Sequence, residues 1–183
     1  DDYGLKTGKW IKYNAKGTIV EIRNYKDDFL NGEMIHYDEN GTIKYSTNYL
    51  NNKPNGISKQ YKDGKLEMET NYLNDKTISS KKFYTTGELF SINEKINSVY
   101  KYTFYHKNGE LIHENKYDNN EKAIGIHKFY DLINDEPTYR SENHHDENGN
   151  KIKYIYKTSG GKLENNYRNN VLHGQVILYN ETN

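Results

Sequence analysis

The sequence predicts an all-β protein, an elongated single-layer antiparallel meander of about seven and a half stacked β-hairpin repeats. Three features predict this fold class: a recurring tyrosine, glycines at fixed distances from it, and a hydrophobic content of only 33%. Each repeat is too short for a βαβ element, whereas two short runs joined by Asn-Gly, Asp-Gly or Gly-Gly are typical of a hairpin. A one-layer sheet tolerates the low hydrophobic content because each unit packs only on its neighbours.

The tyrosine that ends the short run of each repeat sets the period. Its spacings are 24, 24, 23, 21, 25, 26 and 23 residues, through Tyr13, Tyr37, Tyr61, Tyr84, Tyr105, Tyr130, Tyr156 and Tyr179. The period divides a single domain, residues 1–183, into units near 4–30, 31–54, 55–77, 78–98, 99–122, 123–148 and 149–172, with a closing half-unit at 173–183.

A glycine follows most of these tyrosines by three or four residues, at Gly17, Gly41, Gly64, Gly87, Gly109 and Gly160. Tight turns often need φ > 0, which glycine adopts at little cost. We therefore expect the hairpin turn of each unit at this glycine.

The second and third units are the cleanest copies of the repeat. Their structural positions are Gly32, Tyr37, Gly41, Ile43 and Tyr49, then Gly56, Tyr61, Gly64, Leu66 and Tyr72. Strand alternation predicts one face that carries aliphatic residues and tyrosines, namely Ile43, Tyr45, Thr47 and Tyr49 in one unit and Leu66, Met68, Thr70 and Tyr72 in the next. The opposite face is mostly polar.

Composition excludes several classes of protein. Lys and Arg number 26, as do Asp and Glu, and they are interspersed, so the chain offers no basic block for nucleic acid. An apolar run of the roughly 18 residues that a membrane span needs is absent from the sequence. The 19 tyrosines and regular glycines argue against disorder. Because the chain lacks an initiating Met, we expect a processed or trimmed chain and favour export to the periplasm or cell surface over the cytoplasm.

Residues for catalysis or metal binding do not form a recognisable pattern. Acidic residues are scattered singly, no G-x-S-x-G element occurs, and the hairpin period accounts for the glycines. We therefore predict no enzyme, no catalytic residue and no cofactor. The densest possible metal cluster is His144-His145-Asp146-Glu147, but neighbouring residues of a strand point to opposite faces, so no metal site is predicted.

Two acidic turns resemble the opening of a calcium-binding loop, at Asp38-Gly41 and Asp146-Asn150. An EF-hand needs a glutamate eleven residues after the first aspartate, where this chain has Tyr49 and Lys157. We expect both segments to be Asx turns, in which the aspartate side chain accepts hydrogen bonds from nearby backbone.

Two groups of residues are candidates for binding a partner. Alternation predicts an aromatic stripe on one face of the sheet, from Phe83, Tyr102, Phe104 and Phe129. The sixth unit departs most from the repeat and adds Pro137, Tyr139, His144 and His145, and irregular segments on a regular scaffold often carry function. An uncovered stripe would be a docking surface, and a covered one would be the core of the protein.

Written as N-G-x-x-x-x-Y-x-x-N-G-x-I/L-x-x-x-x-x-Y-x-N-x-K, the repeat resembles the bacterial MORN-repeat-variant family, whose members are often labelled YwqK-type antitoxins. The resemblance covers nearly the whole chain and is strongest in units one to three and five. It implies a twisted sheet of stacked hairpins that acts as a binding or scaffold module, with no catalytic residues to carry over. The antitoxin label implies neutralisation of a partner protein.

Two functions follow as expectations. The first is a non-enzymatic protein-interaction module, an antitoxin or immunity-like protein that binds a partner protein. The alternative is an exported envelope or surface protein that binds glycan or peptidoglycan through repeated aromatic grooves. A continuous exposed aromatic patch favours a protein partner, and separate aromatic-floored grooves in every unit favour a glycan.

Overall fold

The computed structural model describes residues 4–133, 136–146, 148, 150–156 and 161–179, the side chains of residues 131–133 and 136–139 excepted. All regular structure in this part of the chain is antiparallel β-strand, in 16 strands, which confirms the predicted hairpin meander. The chain divides into two compact units, Asp1–Glu88 and Leu89–Asn183. The extents of the individual repeats and the single domain remain predictions.

The first unit is a meander in which neighbours along the chain are neighbours in the sheet. The strand order is β1-β2-β4-β5-β6-β7-β8, with the short β3 paired to β2. The strands are β1 Gly8–Tyr13, β2 Ile19–Lys26, β3 Phe29–Leu30, β4 Gly32–Tyr37, β5 Ile43–Leu50, β6 Lys53–Lys62, β7 Lys65–Leu73 and β8 Lys76–Phe83.

The second unit has the same topology, with its strands in the order β9-β10-β11-β12-β13-β14-β15-β16. They are β9 Leu89–Ile96, β10 Val99–Tyr105, β11 Leu111–Tyr117, β12 Gly125–Ile133, β13 Glu136–His145, β14 Lys151–Tyr156, β15 Lys162–Arg168 and β16 Val171–Tyr179.

The predicted hairpin turns lie at the predicted glycines. Positive φ angles of 74° to 106° occur at Gly17, Gly41, Gly64, Gly87 and Gly109, whereas Gly160 lies outside the described residues. In the turn after β4, Gly41 N–H donates to the Asp38 carbonyl at 3.1 Å, and Asp38 Oδ1 accepts from the N–H groups of Asn40 and Thr42, both at 2.9 Å. Asp146 Oδ1 likewise accepts from Asn148 and Asn150, so both predicted Asx turns are confirmed.

A second kind of turn joins one hairpin to the next and contains no glycine. Pairs of Asn or Asp with both φ angles between 50° and 68° form it, at Asp27-Asp28, Asn51-Asn52, Asn74-Asp75 and Asn169-Asn170. Two successive positive φ angles define a type I′ turn, whose twist matches that of the flanking strands. The Asn-Gly pairs that precede the short runs of the second and third repeats are not turns: Gly32 begins β4 opposite Tyr49, and Gly56 lies in β6 opposite Tyr72.

A β-bulge in the hairpin of the second repeat, between β4 and β5, changes which residues share a face. His36 pairs with Tyr45, but Tyr37 pairs with Ile43, so Lys44 is the extra residue. Because a one-residue step reverses the alternation, Ile43 lies on the face of Tyr37. The prediction that Ile43 shares a face with Tyr45 is therefore wrong.

The hairpin of the third repeat, β6 and β7, contains the same bulge. Gln60 pairs with Met68 and Tyr61 pairs with Leu66, which skips Glu67 and separates Leu66 from the face of Met68. The residues that do share that face line one cavity of about 190 Å³: Tyr45, Ser58, Gln60, Met68, Thr70 and Tyr72.

Neither unit has an ordinary hydrophobic core. Met34, 8% exposed, is the only buried apolar residue in the described part of the chain. The other buried residues are polar: Glu21, Ser46, Thr47, Thr70, Ser91, Thr103, His127 and Ser141. They lie within strands, and all but Glu21 and His127 are serine or threonine. The Thr47 and Ser58 hydroxyls form a 2.8 Å hydrogen bond across β5 and β6. Backbone ladders and cross-strand side-chain pairs therefore hold the sheet together.

Candidate interaction surface

Aromatic rings cross four strands of the second unit, β9 to β12, in continuous contact. Phe104, His113 and Phe129 are direct cross-strand partners on β10, β11 and β12. The ring centroids of Phe104 and His113 are 5.7 Å apart and those of His113 and Phe129 are 4.5 Å apart, both edge to face. Phe90 continues the contact at 5.7 Å from Phe104. We name these four residues the aromatic row.

A second set of rings runs beside the first on the same face. Tyr102 contacts Tyr117 at 5.7 Å, Tyr117 contacts His127 at 5.2 Å, and His127 contacts His145 at 4.5 Å. We name these four residues the tyrosine–histidine row. All the members of both rows except His127 remain partly exposed, and together they form the aromatic face of the second unit.

The side chain of His127 lies where backbone pairing between β11 and β12 is interrupted. Regular pairing between β11 and β12 stops after Glu114 and Lys128, and the imidazole Nε2 of His127 lies 3.0 Å from the Lys116 nitrogen and 2.7 Å from its carbonyl oxygen. The side chain thus occupies the place of a backbone hydrogen-bonding partner. Only 3% of the residue is exposed.

The histidines of this face are held neutral. Burial lowers the pKa of His127, and burial together with the neighbouring His127 lowers the pKa of His113. The pKa of His145 falls to about 4, chiefly through burial and then through repulsion from His127 and Lys151. At neutral pH the face therefore carries uncharged rings.

His144 points the other way, as expected for the neighbour of His145 on a strand. Its Nε2 lies 2.8 Å from Glu142 Oε1, and its ring lies 4.9 Å from that of Tyr154. Among the described residues, no group of three or more His, Cys, Asp or Glu side chains is placed to hold a metal ion.

The structure brings some of the candidate binding residues together. Tyr102, Phe104 and Phe129 share the aromatic face, and His145 joins them through His127. Phe83 belongs to the first unit, where it ends β8 and lines a cavity of about 210 Å³ with Leu66 and Tyr84. The side chains of Pro137 and Tyr139 lie outside the described residues.

Sequence reasoning did not assign His113 and His127 to this surface. Tyr105 pairs with Leu111, so a regular register would place Ile112 opposite Phe104, and a β-bulge places His113 there instead. The position of His127 depends on the gap between β11 and β12. Neither the bulge nor the gap can be identified from spacing alone.

Two cavities open on the second unit. One, of about 610 Å³, is lined by Tyr100, Tyr102, Phe104, Asn115, Tyr117, Asp118, Asn119 and Glu121, and we name it the tyrosine groove. The other, of about 630 Å³, is polar and is lined by Asp146, Asn148, Asn150, Lys151, Ile152, Asn166, Tyr167, Arg168, Asn169 and His173. The first adjoins the aromatic face and shares Tyr102, Phe104 and Tyr117 with it.

Comparison with known families adds a finding for the first unit. Residues 6–27 and 30–51 match the MORN repeat variant. The two matched segments are successive hairpins, β1-β2 and β4-β5, so the MORN repeat variant has the period predicted from the tyrosines. MORN repeats are generally non-catalytic modules for interaction with proteins or membranes.

No curated protein matches the chain. In the described part of the chain, no helix has the length and apolar character needed to cross a membrane.

Proposed function

We propose that the chain is a non-enzymatic protein-interaction module of antitoxin or immunity type, which binds a partner protein through the aromatic face of its second unit. The observation that carries this proposal is the continuous contact of rings from Phe90 to Phe129 across four strands. Partly exposed aromatic residues in one contiguous patch are the compositional mark of protein interfaces. The similarity to MORN repeats supports the general class of interaction module.

A glycan-binding envelope protein is the second candidate, and the polar cavity favours it. Its four asparagines and Tyr167 supply amide groups and an aromatic ring, which are the groups that sugars need. However, the Lys151 ammonium lies 4.7 Å from the centroid of the Tyr167 ring and occupies the face on which a sugar would stack. The protein-binding proposal therefore has the stronger support.

A matched pair of variants tests the proposal. Phe129→Ser removes a ring from the aromatic row, whereas Lys128→Ser changes the next residue of β12, which points to the other face opposite Glu114. Each purified protein is used as bait in lysate and envelope fractions of the source organism, with quantitative mass spectrometry and a thermal melt to verify folding. We expect one stoichiometric protein on the wild type and on Lys128→Ser, and its loss on Phe129→Ser.

The antitoxin part of the proposal has its own test. The captured protein, expressed alone, should arrest growth, and co-expression of the wild-type chain but not of Phe129→Ser should restore it. A partner held equally by both variants would contradict the assigned surface. Retention of the chain on purified cell wall, without any protein partner, would favour the glycan-binding alternative.

A further inference from the structure

We propose that the tyrosine groove binds a lysine or arginine side chain within an extended basic segment of the partner protein. This inference rests on the proposed function and specifies the chemistry of the partner. It follows from three features of the groove: the arrangement of its rings, a cation already bound to one of them, and two carboxylates at its rim.

The rings form a corner. Tyr102 and Tyr117 are 5.7 Å apart with an angle of 78° between their planes, so they are two adjacent walls. Tyr100 is the direct cross-strand partner of Tyr117 and lies on the same face. The negative face of an aromatic ring attracts a cation, and rings set at steep angles are how proteins surround an ammonium group.

A lysine of the chain itself already contacts one ring of the groove, that of Tyr100. Lys95 Nζ lies 4.6 Å from the centroid of the Tyr100 ring and 2.9 Å from its hydroxyl oxygen. Lys95 is exposed, is the cross-strand partner of Tyr100 and is not among the residues that line the groove, so the corner between Tyr102 and Tyr117 is left for a second cation.

The rim of the groove is acidic. Asp118 and Glu121 line the same cavity as the tyrosines. Asp118 is fixed by an Asx turn, since its Oδ1 accepts from the N–H groups of Asn120 at 2.8 Å and Lys122 at 2.9 Å. Asp118 and Glu121 are the charged residues among those that line the groove, and both are acidic. A rim of two carboxylates complements a cationic side chain.

The size of the groove favours a side chain carried by a peptide over a small free cation. Its volume of about 610 Å³ is far larger than an ammonium head group, and it adjoins the aromatic row through Phe104. A peptide that places a cation in the corner would rest its neighbouring residues on that row.

Two variants and one control isolate the groove. Asp118→Asn with Glu121→Gln removes both charges but keeps the acceptor oxygen that the turn needs. Asp38→Asn with Glu39→Gln makes the same charge change in the matching Asx turn of the first unit, where Asp38 Oδ1 accepts the same two hydrogen bonds. Tyr102→Leu removes one wall of the corner, and Tyr102→Phe restores a ring without the hydroxyl.

The probes are three synthetic peptides of equal length with alternating serine and lysine, serine and acetyl-lysine, or serine and glutamate. Binding to the full chain is followed by NMR chemical shifts and titrated at low and at physiological salt. We expect the lysine peptide alone to bind, with shifts centred on residues 100–121. Its affinity should fall about tenfold in the double-charge variant and in Tyr102→Leu, should fall less in Tyr102→Phe than in Tyr102→Leu because a ring remains, and should be unchanged in the control.

Equal binding of the acetyl-lysine peptide would overturn the inference, because charge would then play no part. Equal loss of affinity in the control, or none in Tyr102→Leu, would also overturn it, since binding would be a diffuse charge effect. Absence of binding by any peptide would refute the basic-segment inference alone. The proposed function is judged separately, by capture of a partner on Lys128→Ser and its loss on Phe129→Ser.

Discussion

The imidazole rings of His127 and His145 lie 4.5 Å apart between neighbouring strands, and only 3% of His127 is exposed. Both have a lowered pKa, and that of His145 falls to about 4 from its ordinary value of 6.5. Two adjacent imidazoles that are neutral in the folded state make this part of the sheet sensitive to acid.

We predict that the free energy of unfolding falls as the pH drops from about 6.5 towards 4. In that window the unfolded chain takes up a proton at His145 that the folded chain does not, so acid favours unfolding. Urea unfolding between pH 7.5 and pH 4 should show a shallower loss of stability in His145→Gln than in the wild type. His144→Gln, on the opposite face of the same strand, is the control. Identical pH profiles for the wild type and His145→Gln would contradict the prediction.

Replacement of Gly41 should test the hairpin turn. Its φ is 84°, and an added Cβ would lie 3.3 Å from Thr18 Cγ2. Gly41→Val should therefore cost about 1–3 kcal/mol of folding free energy, because a β-branched residue is strained at positive φ. Glu39→Ala, in the same turn but exposed, should change the melting temperature little. Equal melting temperatures would show that this turn is not strained.

At the glycine-free turns between hairpins, we predict that a glycine can be introduced without loss of stability. Asn74 and Asp75 have φ angles of 50° and 68°, a conformation that glycine adopts without cost. Asp75→Gly should be at least as stable as the wild type, whereas Asp75→Ala should lose about 1 kcal/mol. Thermal melts of the two variants decide the matter, and a lower midpoint for Asp75→Gly would count against a type I′ turn.

Replacement of Arg23 by lysine should destabilise the folded state. Its Nε lies 2.8 Å from Glu21 Oε1, its Nη2 donates to Glu21 Oε2 at 2.9 Å, and Nη1 donates to the Tyr25 hydroxyl at 3.2 Å. The hydrogen bonds to Glu21 and Tyr25 raise the pKa of the Arg23 guanidinium. Because an ammonium group cannot reproduce this fork, Arg23→Lys should cost about 1 kcal/mol. Arg168→Lys serves as the exposed control, and an equal effect of both changes on the urea midpoint would argue against a specific role for the fork.

The repeat made most of the fold predictable. Glycines at positive φ and aspartates in Asx turns act locally, so positions such as Gly41 and Asp38 can be identified from spacing alone. The bulge at Lys44 could not be predicted in this way, because it depends on how two strands pair. One extra residue there was enough to transfer Ile43 to the other face of the sheet.

The candidate surface was predictable only in part, because it too depends on how neighbouring strands pair. Alternation along single strands grouped Tyr102, Phe104 and Phe129. Contacts between strands add His113 and His127, and such contacts follow from register and from the local end of a backbone ladder. A repeat predicts the positions that its copies share, whereas the aromatic face is assembled from several successive repeats through contacts between their strands.

The scarcity of buried apolar side chains, with Met34 alone among the described residues, has a thermal consequence. The heat-capacity change of unfolding arises mainly from newly hydrated apolar surface, and globular proteins average about 12–15 cal/mol/K per residue. A sheet that already exposes part of nearly every ring and aliphatic chain should give a smaller value by calorimetry. Its stability curve would then be broad and shallow, so that warming or cooling by a few tens of degrees changes its free energy of unfolding less than in a protein with a closed core.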